Sequence, residues 1–230
     1  NAKIYYYRIM KFHIIRIEDT NCPAHEKSCE AAERCSKSLE KFGMEYTFFP
    51  AYTPDSDYVK GMMTKKKFMS GFRHANKFAR LDRCVAAHLS HRTLWQMCSD
   101  NQDGPIGILE HDAVMTREMP NYLTFRHFVN LGHPSYGKYK ESKTSGVRNL
   151  FSKRYFPGAH AYAINPSAME MIIQRGNDMG GPTDTFLSSD QFILDEHYPW
   201  VFEVDDRFSS IQAERGCKMK HDLPGDYQRI

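Results

Sequence analysis

The sequence predicts a single α/β domain spanning residues 1–230, with a mostly parallel sheet flanked by helices. Three observations carry that expectation. A strand–helix–strand pattern opens the chain. A short apolar segment at residues 105–109 runs into the acids Glu110 and Asp112, and a strand pattern at 160–164 passes directly into a helical one. The length suits one domain. Apolar residues at 41% and charged residues at 26% are ordinary globular values.

Taken in order, the apolar run at 11–17 is bounded by Glu18-Asp19-Thr20-Asn21 and Pro23, which predicts a first strand and a turn. Ala32, Cys35, Leu39 and Phe42 then recur at helical spacing, with Gly43 as the stop signal. A second strand follows at about 45–49. Residues 52–76 hold Pro54, Met62-Met63, a lysine run and Gly71 without sustained periodicity, so they read as a mobile, basic excursion able to close over a ligand. The strongest helix pattern covers 77–98, with Leu81, Cys84, Val85, Leu94, Trp95 and Cys98 for its buried face and 100–104 to end it. The 105–109 segment is then a central strand, and its carboxyl end is where open α/β sheets bind ligands.

Residues 132–154 mix Gly, Ser, Lys and Tyr and read as a second long loop. Pro166 begins a helix carrying Ala168, Met171 and Ile172, with Gly176 near its end. After the Gly180-Gly181-Pro182 turn, Ser188 or Ser189 is expected to cap a short helix reaching about His197, and 200–204 is the last strand.

The formal net charge of +3 is unevenly spread. Residues 60–83 carry eight Lys/Arg against Asp82 alone, and 138–154 carry six more against Glu141. The two stretches together are +12 and the remainder −9, an asymmetry that suggests an anionic partner. Lys65, Lys66, Lys67, Arg73, Lys77, Lys153 and Arg154 are the candidate contacts to it. Tyr58, Phe68, Phe72 and Phe78 in the first stretch, and Tyr136, Tyr139, Phe151 and Tyr155 around the second, add rings that stack on bases or sugars.

No uncharged apolar run approaches the roughly 18 residues that span a bilayer, and no leader pattern is recognisable. A cytoplasmic protein is the expectation, in the host cytoplasm if it is viral. Six cysteines without a CxxC pair read as reduced packing residues. Neither a Walker pattern nor GxGxxG is present, which removes the main support for kinase and dehydrogenase readings.

Glu110 and Asp112 supply the chemistry that a charged leaving group needs. A hard divalent cation held by one or two carboxylates keeps coordination sites free for phosphate oxygens. The segment Ile108-Leu109-Glu110-His111-Asp112-Ala113 resembles the Leu-Glu-Asp-Asp-Ala signature of glycosyltransferase family 25. Other segments fall in matching order. Phe49-Pro50-Ala51 resembles an aromatic-x-Ala element. The run 83–88 resembles Gly-Cys-x-x-Ser-His, keeping Cys84 and His88 but carrying Arg83 and Ala87 in place of Gly and Ser. Gly158–Ile164 resembles a Gly-Thr-x-Ala-Tyr-x-Ile strand, and Pro182-Thr183-Asp184 a Pro-x-Asp element.

The resemblance implies a GT-A-like, Rossmann-like fold, a nucleotide-sugar donor (usually a UDP-sugar) and an inverting hexosyl or pentosyl transfer. It also implies a metal at the acidic motif, held by Asp112 and Glu110, with His111 standing where the family has Asp. Because imidazole favours transition metals, Mn²⁺ is expected over Mg²⁺. Inversion needs a carboxylate base, for which Asp184 and Asp190 are the candidates. His88 is placed on the donor side, and Arg16 and Glu18, on the first strand and its turn, are expected to face the base or ribose. Cys84, His88 and His91 share a helix at i, i+4 and i+7, a spacing that superficially suggests zinc, and His221 is a late histidine of the sort that completes some metal sites. For the acceptor, DNA with hydroxymethylated bases, to which the density of charge leans, competes with phosphorylated lipopolysaccharide cores; protein hydroxylysine is third. A reading of another class is a non-catalytic polyanion-binding module on a degenerate transferase scaffold.

Overall fold

The computed structural model describes residues 10–77, 79–135, 137–174, 179–205, 208–211 and 228–229. Phe78, Tyr136, Gly176, Cys217 and His221 lie outside the described residues. In chain order the elements begin with β1 (Lys11–Arg16), α1 (His25–Glu40) and β2 (Tyr46–Pro50), then the short helices α2 (Asp57–Met63) and α3 (Lys66–Met69) with 3-10 turns at Ser70–Phe72 and Ala75–Lys77. The long α4 (Leu81–Asn101) leads into β3 (Ile106–Glu110), β4 (Ala113–Met115), β5 (Phe128–Asn130) and β6 (Gly146–Asn149). β7 (Ala161–Ile164), α5 (Ala168–Gln174), α6 (Thr183–Phe186), β8 (Leu194–Tyr198), β9 (Phe202–Val204) and β10 (Phe208–Ser209) follow, with β11 (Gln228–Arg229) last.

Seven strands form the central sheet in the order β2-β1-β3-β7-β5-β8-β6. β1 pairs in parallel with both β2 and β3, and β5 with β8, while β7 and β6 run against their neighbours, so five of the seven strands point the same way. Side chains alternate across this sheet as the pleat requires. Ile108, Tyr162 and Ile164 enter one core cluster with Trp95 and Met171 of α4 and α5. Leu109, Ala161 and Ala163 enter the other with Ala32, Cys35 and Leu39 of α1. Each fully buried Leu or Phe in these layers contributes about 1.5–3 kcal/mol. The three-layer arrangement matches the Rossmann-like fold expected from the sequence.

Three segments depart from expectation, each for a tertiary reason. Residues 57–77 are a packed helical unit rather than a mobile loop. Val59, Met62, Phe68, Phe72 and Ala75 are buried against Cys84, Val85 and Leu89 of α4. The lysine run interrupts the helical period, which hides these apolar residues from a pattern search. Residues 194–198 form β8 rather than the end of a helix. Its charged residues find partners there: Asp195 accepts from Arg126 Nη2 at 2.6 Å, and Glu196 Oε1 accepts from the backbone N–H of Phe151 and Ser152, each at 3.0 Å. Part of the expected second loop is edge strand β6, paired with β8. The closing strand β9 leaves the central sheet and pairs with β4.

The helical unit docks on the turn before α6 through bare backbone. The N–H of Gly180 donates to Phe68 O at 3.0 Å, and a Cβ added at Gly71 would fall 1.8 Å from Gly180 O. The helix α4 ends where Gln102 adopts a left-handed φ of 56° and its N–H reaches Cys98 O. That stop releases the chain into β3, whose carboxyl end carries the acidic motif.

Candidate active site

A cleft of about 770 Å³ opens at the carboxyl ends of β1 and β3. Ile15 and Ile17 of the first strand and turn form part of its floor. Tyr52 and Thr53 follow β2, Arg83, Ala87 and His91 come from one side of α4, and Glu110, His111 and Asp112 end β3. Tyr155, His160 and Asp184 line it from the later half of the chain. The motif expected to hold metal and the Pro-x-Asp element therefore meet in one cavity.

Glu110 is held by a chain of hydrogen bonds across the core. Trp95 Nε1–H donates to Tyr162 Oη at 2.8 Å, Tyr162 Oη lies 2.8 Å from His91 Nδ1, and His91 Nε2 lies 3.2 Å from Glu110 Oε1. Burial alone would raise the Glu110 carboxyl. The hydrogen bond and charge of His91, with His160 and His111 nearby, outweigh it and keep the group below its ordinary range. Burial pushes the Tyr162 hydroxyl well up, so it stays neutral.

His111 is fixed on two sides. Its Nδ1 lies 2.9 Å from Ser28 Oγ, and its ring stacks on Phe208 with centroids 5.2 Å apart. Burial pushes its pKa down to about 4 against the pull of Glu110. The turn after it is pinned by Asp205 N–H, which donates to Asp112 O at 2.8 Å. His160, which the sequence did not single out, is buried beside Glu110, and burial lowers it to about 4. Neither of its ring nitrogens meets a hydrogen-bond partner among the described residues, and only glycine fits at 132, where a Cβ would lie 2.3 Å from its Nε2. Asp184 sits in the first turn of α6, where its Oδ1 accepts from Thr185 N–H at 2.8 Å.

The structure separates other candidates from the cleft. Asp190 stands in a turn, not at a helix start, and its carboxylate is 2.5 Å from Arg154 Nε and 3.1 Å from Ser188 Oγ. The Arg154 hydrogen bond lowers its pKa, and neither residue lines the cavity. Arg16 pairs with Glu18 at 2.6 Å and lies over the Phe48 ring at 4.0 Å, while the cavity wall there is Ile15 and Ile17. His88 is fully buried between Phe68, Phe72, Trp95 and Phe186, with centroids 5.1–5.9 Å away, so it packs rather than faces the donor side. The Cys84, His88, His91 spacing makes no zinc site: among the described residues no three His, Cys, Asp or Glu side chains form a metal-holding group. The five described cysteines are free thiols.

Lys65, Lys66, Lys67, Arg73 and Lys77 are exposed on the helical unit, and Arg154 is exposed on the second basic stretch, where Lys153 is half-buried with its Nζ 5.9 Å from the Tyr155 ring. The first stretch reaches the cleft through Ala75, Ala79 and Arg83, and Tyr155 stands just after the second. No helix among the described residues is long and apolar enough to cross a membrane.

Residues 26–187, more than half of the chain, match the family model described as glycosyltransferase family 25 (LPS biosynthesis protein). The chain belongs to glycosyltransferase family 25. The matched region contains all but the first residue of α1, the whole acidic motif, the His91 relay and the Pro-x-Asp element, so this family-25 chain is an enzyme that transfers a sugar. No curated protein matches it.

Proposed function

We propose that the chain moves a hexose or pentose from a UDP-sugar to a hydroxyl of an anionic glycan, with a divalent cation at Glu110 and Asp112. The observation that supports this most directly is the meeting of both carboxylates and Asp184 in one cleft of about 770 Å³. Two acids suit a hard cation, Mn²⁺ or Mg²⁺, that takes its remaining ligands from substrate phosphate. When bound, such a cation neutralises charge on the departing diphosphate. His91 holds Glu110 ionised and oriented for that task. Asp184 is the carboxylate proposed to take the proton from the acceptor hydroxyl, whereas Asp190 is engaged by Arg154 outside the cleft.

The uneven charge of the two basic stretches, the first of which reaches the cleft at Arg83, supports a polyanionic acceptor. The family description favours one of lipopolysaccharide type over hydroxymethylated DNA. The test is a screen of UDP-sugars with Mn²⁺ or Mg²⁺ against a phosphorylated lipooligosaccharide core and hydroxymethylated duplex DNA, reading released UDP. Transfer to the glycan is expected, and Asp184→Asn should lower it by about 10²–10⁴-fold while UDP still binds. Transfer to DNA alone overturns the acceptor. Polyanion binding without hydrolysis of any sugar nucleotide would favour the degenerate-scaffold reading.

A further inference from the structure

We infer that His111 serves as a neutral hydrogen-bond donor to the diphosphate oxygens of the nucleotide, not as a metal ligand; the inference rests on the nucleotide-sugar reading above. The argument begins at a group whose role is fixed. The backbone N–H of Ile17 can only donate, and it donates to Ser28 Oγ at 2.9 Å. That oxygen carries one proton of its own. Among the described residues the acceptor it meets is His111 Nδ1, also at 2.9 Å. Ser28 is fully buried, so water does not compete for that proton.

With Nδ1 accepting, a neutral imidazole carries its single N–H on Nε2. Neither nitrogen then offers a lone pair to a cation: one is committed to Ser28 and the other is protonated. The stacked Phe208 ring fixes the imidazole plane. The residue lines the same cleft as Glu110 and Asp112, and the Nε2–H is the donor its ring has left for a ligand there. A diphosphate bound beside a cation that Glu110 and Asp112 would hold would present the acceptors this donor needs. The position thus changes from a third acidic ligand to a direct phosphate contact, and the preference for Mn²⁺ that imidazole ligation would bring does not follow.

The test uses the full chain with ¹⁵N-labelled histidine, Mg²⁺ and UDP, with the spectrum of His111→Leu assigning the His111 signals. The expected result is an unprotonated Nδ1 and a protonated Nε2 before ligand, with the Nε2–H shifting when UDP and Mg²⁺ are added. His111→Gln, which keeps an N–H, should retain UDP affinity, whereas His111→Leu should weaken it by about 3–10-fold. Mn²⁺ affinity without nucleotide, read by paramagnetic resonance, should be the same in both variants. An unprotonated Nε2 with metal bound, or loss of nucleotide-free Mn²⁺ binding in both variants, overturns the inference. If UDP shifts the amides of Ile17 and Asp112 but not His111 Nε2, the inference falls and the nucleotide reading stands. If UDP shifts none of them, the nucleotide reading falls and takes this one with it.

Discussion

His88 and His91 stand one turn apart on the same helix and do opposite things. His88 is enclosed by four aromatic rings, and neither ring nitrogen has a hydrogen-bond partner among the described residues. His91 spends both nitrogens, one on Tyr162 and one on Glu110. The first fastens the helical unit and α6 to α4; the second carries order from the core to Glu110. What separates them is not helical spacing but which distant elements arrive beside each, and four measurements can break or sharpen the contrast.

The largest expected effect is on stability at His88. His88→Ala leaves a void among aromatic rings and should cost about 2–4 kcal/mol, which for a domain of this size lowers Tm by roughly 4–16 °C. Turnover per folded molecule should hold. A calorimetric scan with unchanged Tm would show that the cage does not fasten the unit. Next comes His91→Phe, which removes the group orienting Glu110 and should lower turnover by about 10–100-fold. Its thermal midpoint should move less than that of the His88 variant. His91→Gln offers an amide oxygen to Tyr162 and an N–H to Glu110, so it should recover much of the loss. Equal turnover in the Phe and Gln variants would deny the relay.

The third effect is on pH dependence. Burial, and to a lesser degree the charges of Arg92 and His91, push the His88 pKa down to about 3. The unfolded chain therefore binds this proton from about pH 6.5 downward while the native chain refuses it. The stability concerned is fully present above pH 6.5 and is lost as the pH falls toward 3, at about 1.4 kcal/mol per unit. His88→Leu, which removes the titrating group, should flatten the acid limb of a urea stability profile by about that slope. The smallest effect is the cost of His88→Leu itself at pH 7, where similar volume should keep the change below about 1.5 kcal/mol.

The same contrast explains what was legible in the sequence. The elements β1, α1, β2, α4 and β3 were readable because their apolar residues keep an unbroken period. The placement of Glu110 and Asp112 followed, since a buried strand must deliver its next residues to the sheet edge. Asp184 was found through a short motif and does reach the cleft. The strand β8 was not readable, because Asp195 and Glu196 look like surface residues until Arg126 and the Phe151–Ser152 backbone come to meet them. The pairing of Asp190 with Arg154, the Ser28 contact of His111 and the Tyr162 contact of His91 were hidden for the same reason. Each joins residues far apart in the chain, and no local pattern records them. A hint lay in Trp95 and Tyr162 themselves: buried rings with polar tips require partners, and Trp95 falls on the expected buried face of its helix and Tyr162 in the expected strand at 160–164.

The join between Gly71 and Gly180 has a consequence for how this surface can change over time. Backbone meets backbone there with no room for a single carbon, so the lysine-bearing unit is seated by close fit together with the Gly180–Phe68 hydrogen bond and its buried rings. None of Lys65, Lys66, Arg73 or Lys77 is buried in that seam. The charges are interchangeable cargo on a fixed mount. A lineage can redraw the charge pattern of this unit, one lysine at a time, without disturbing the seam that seats it.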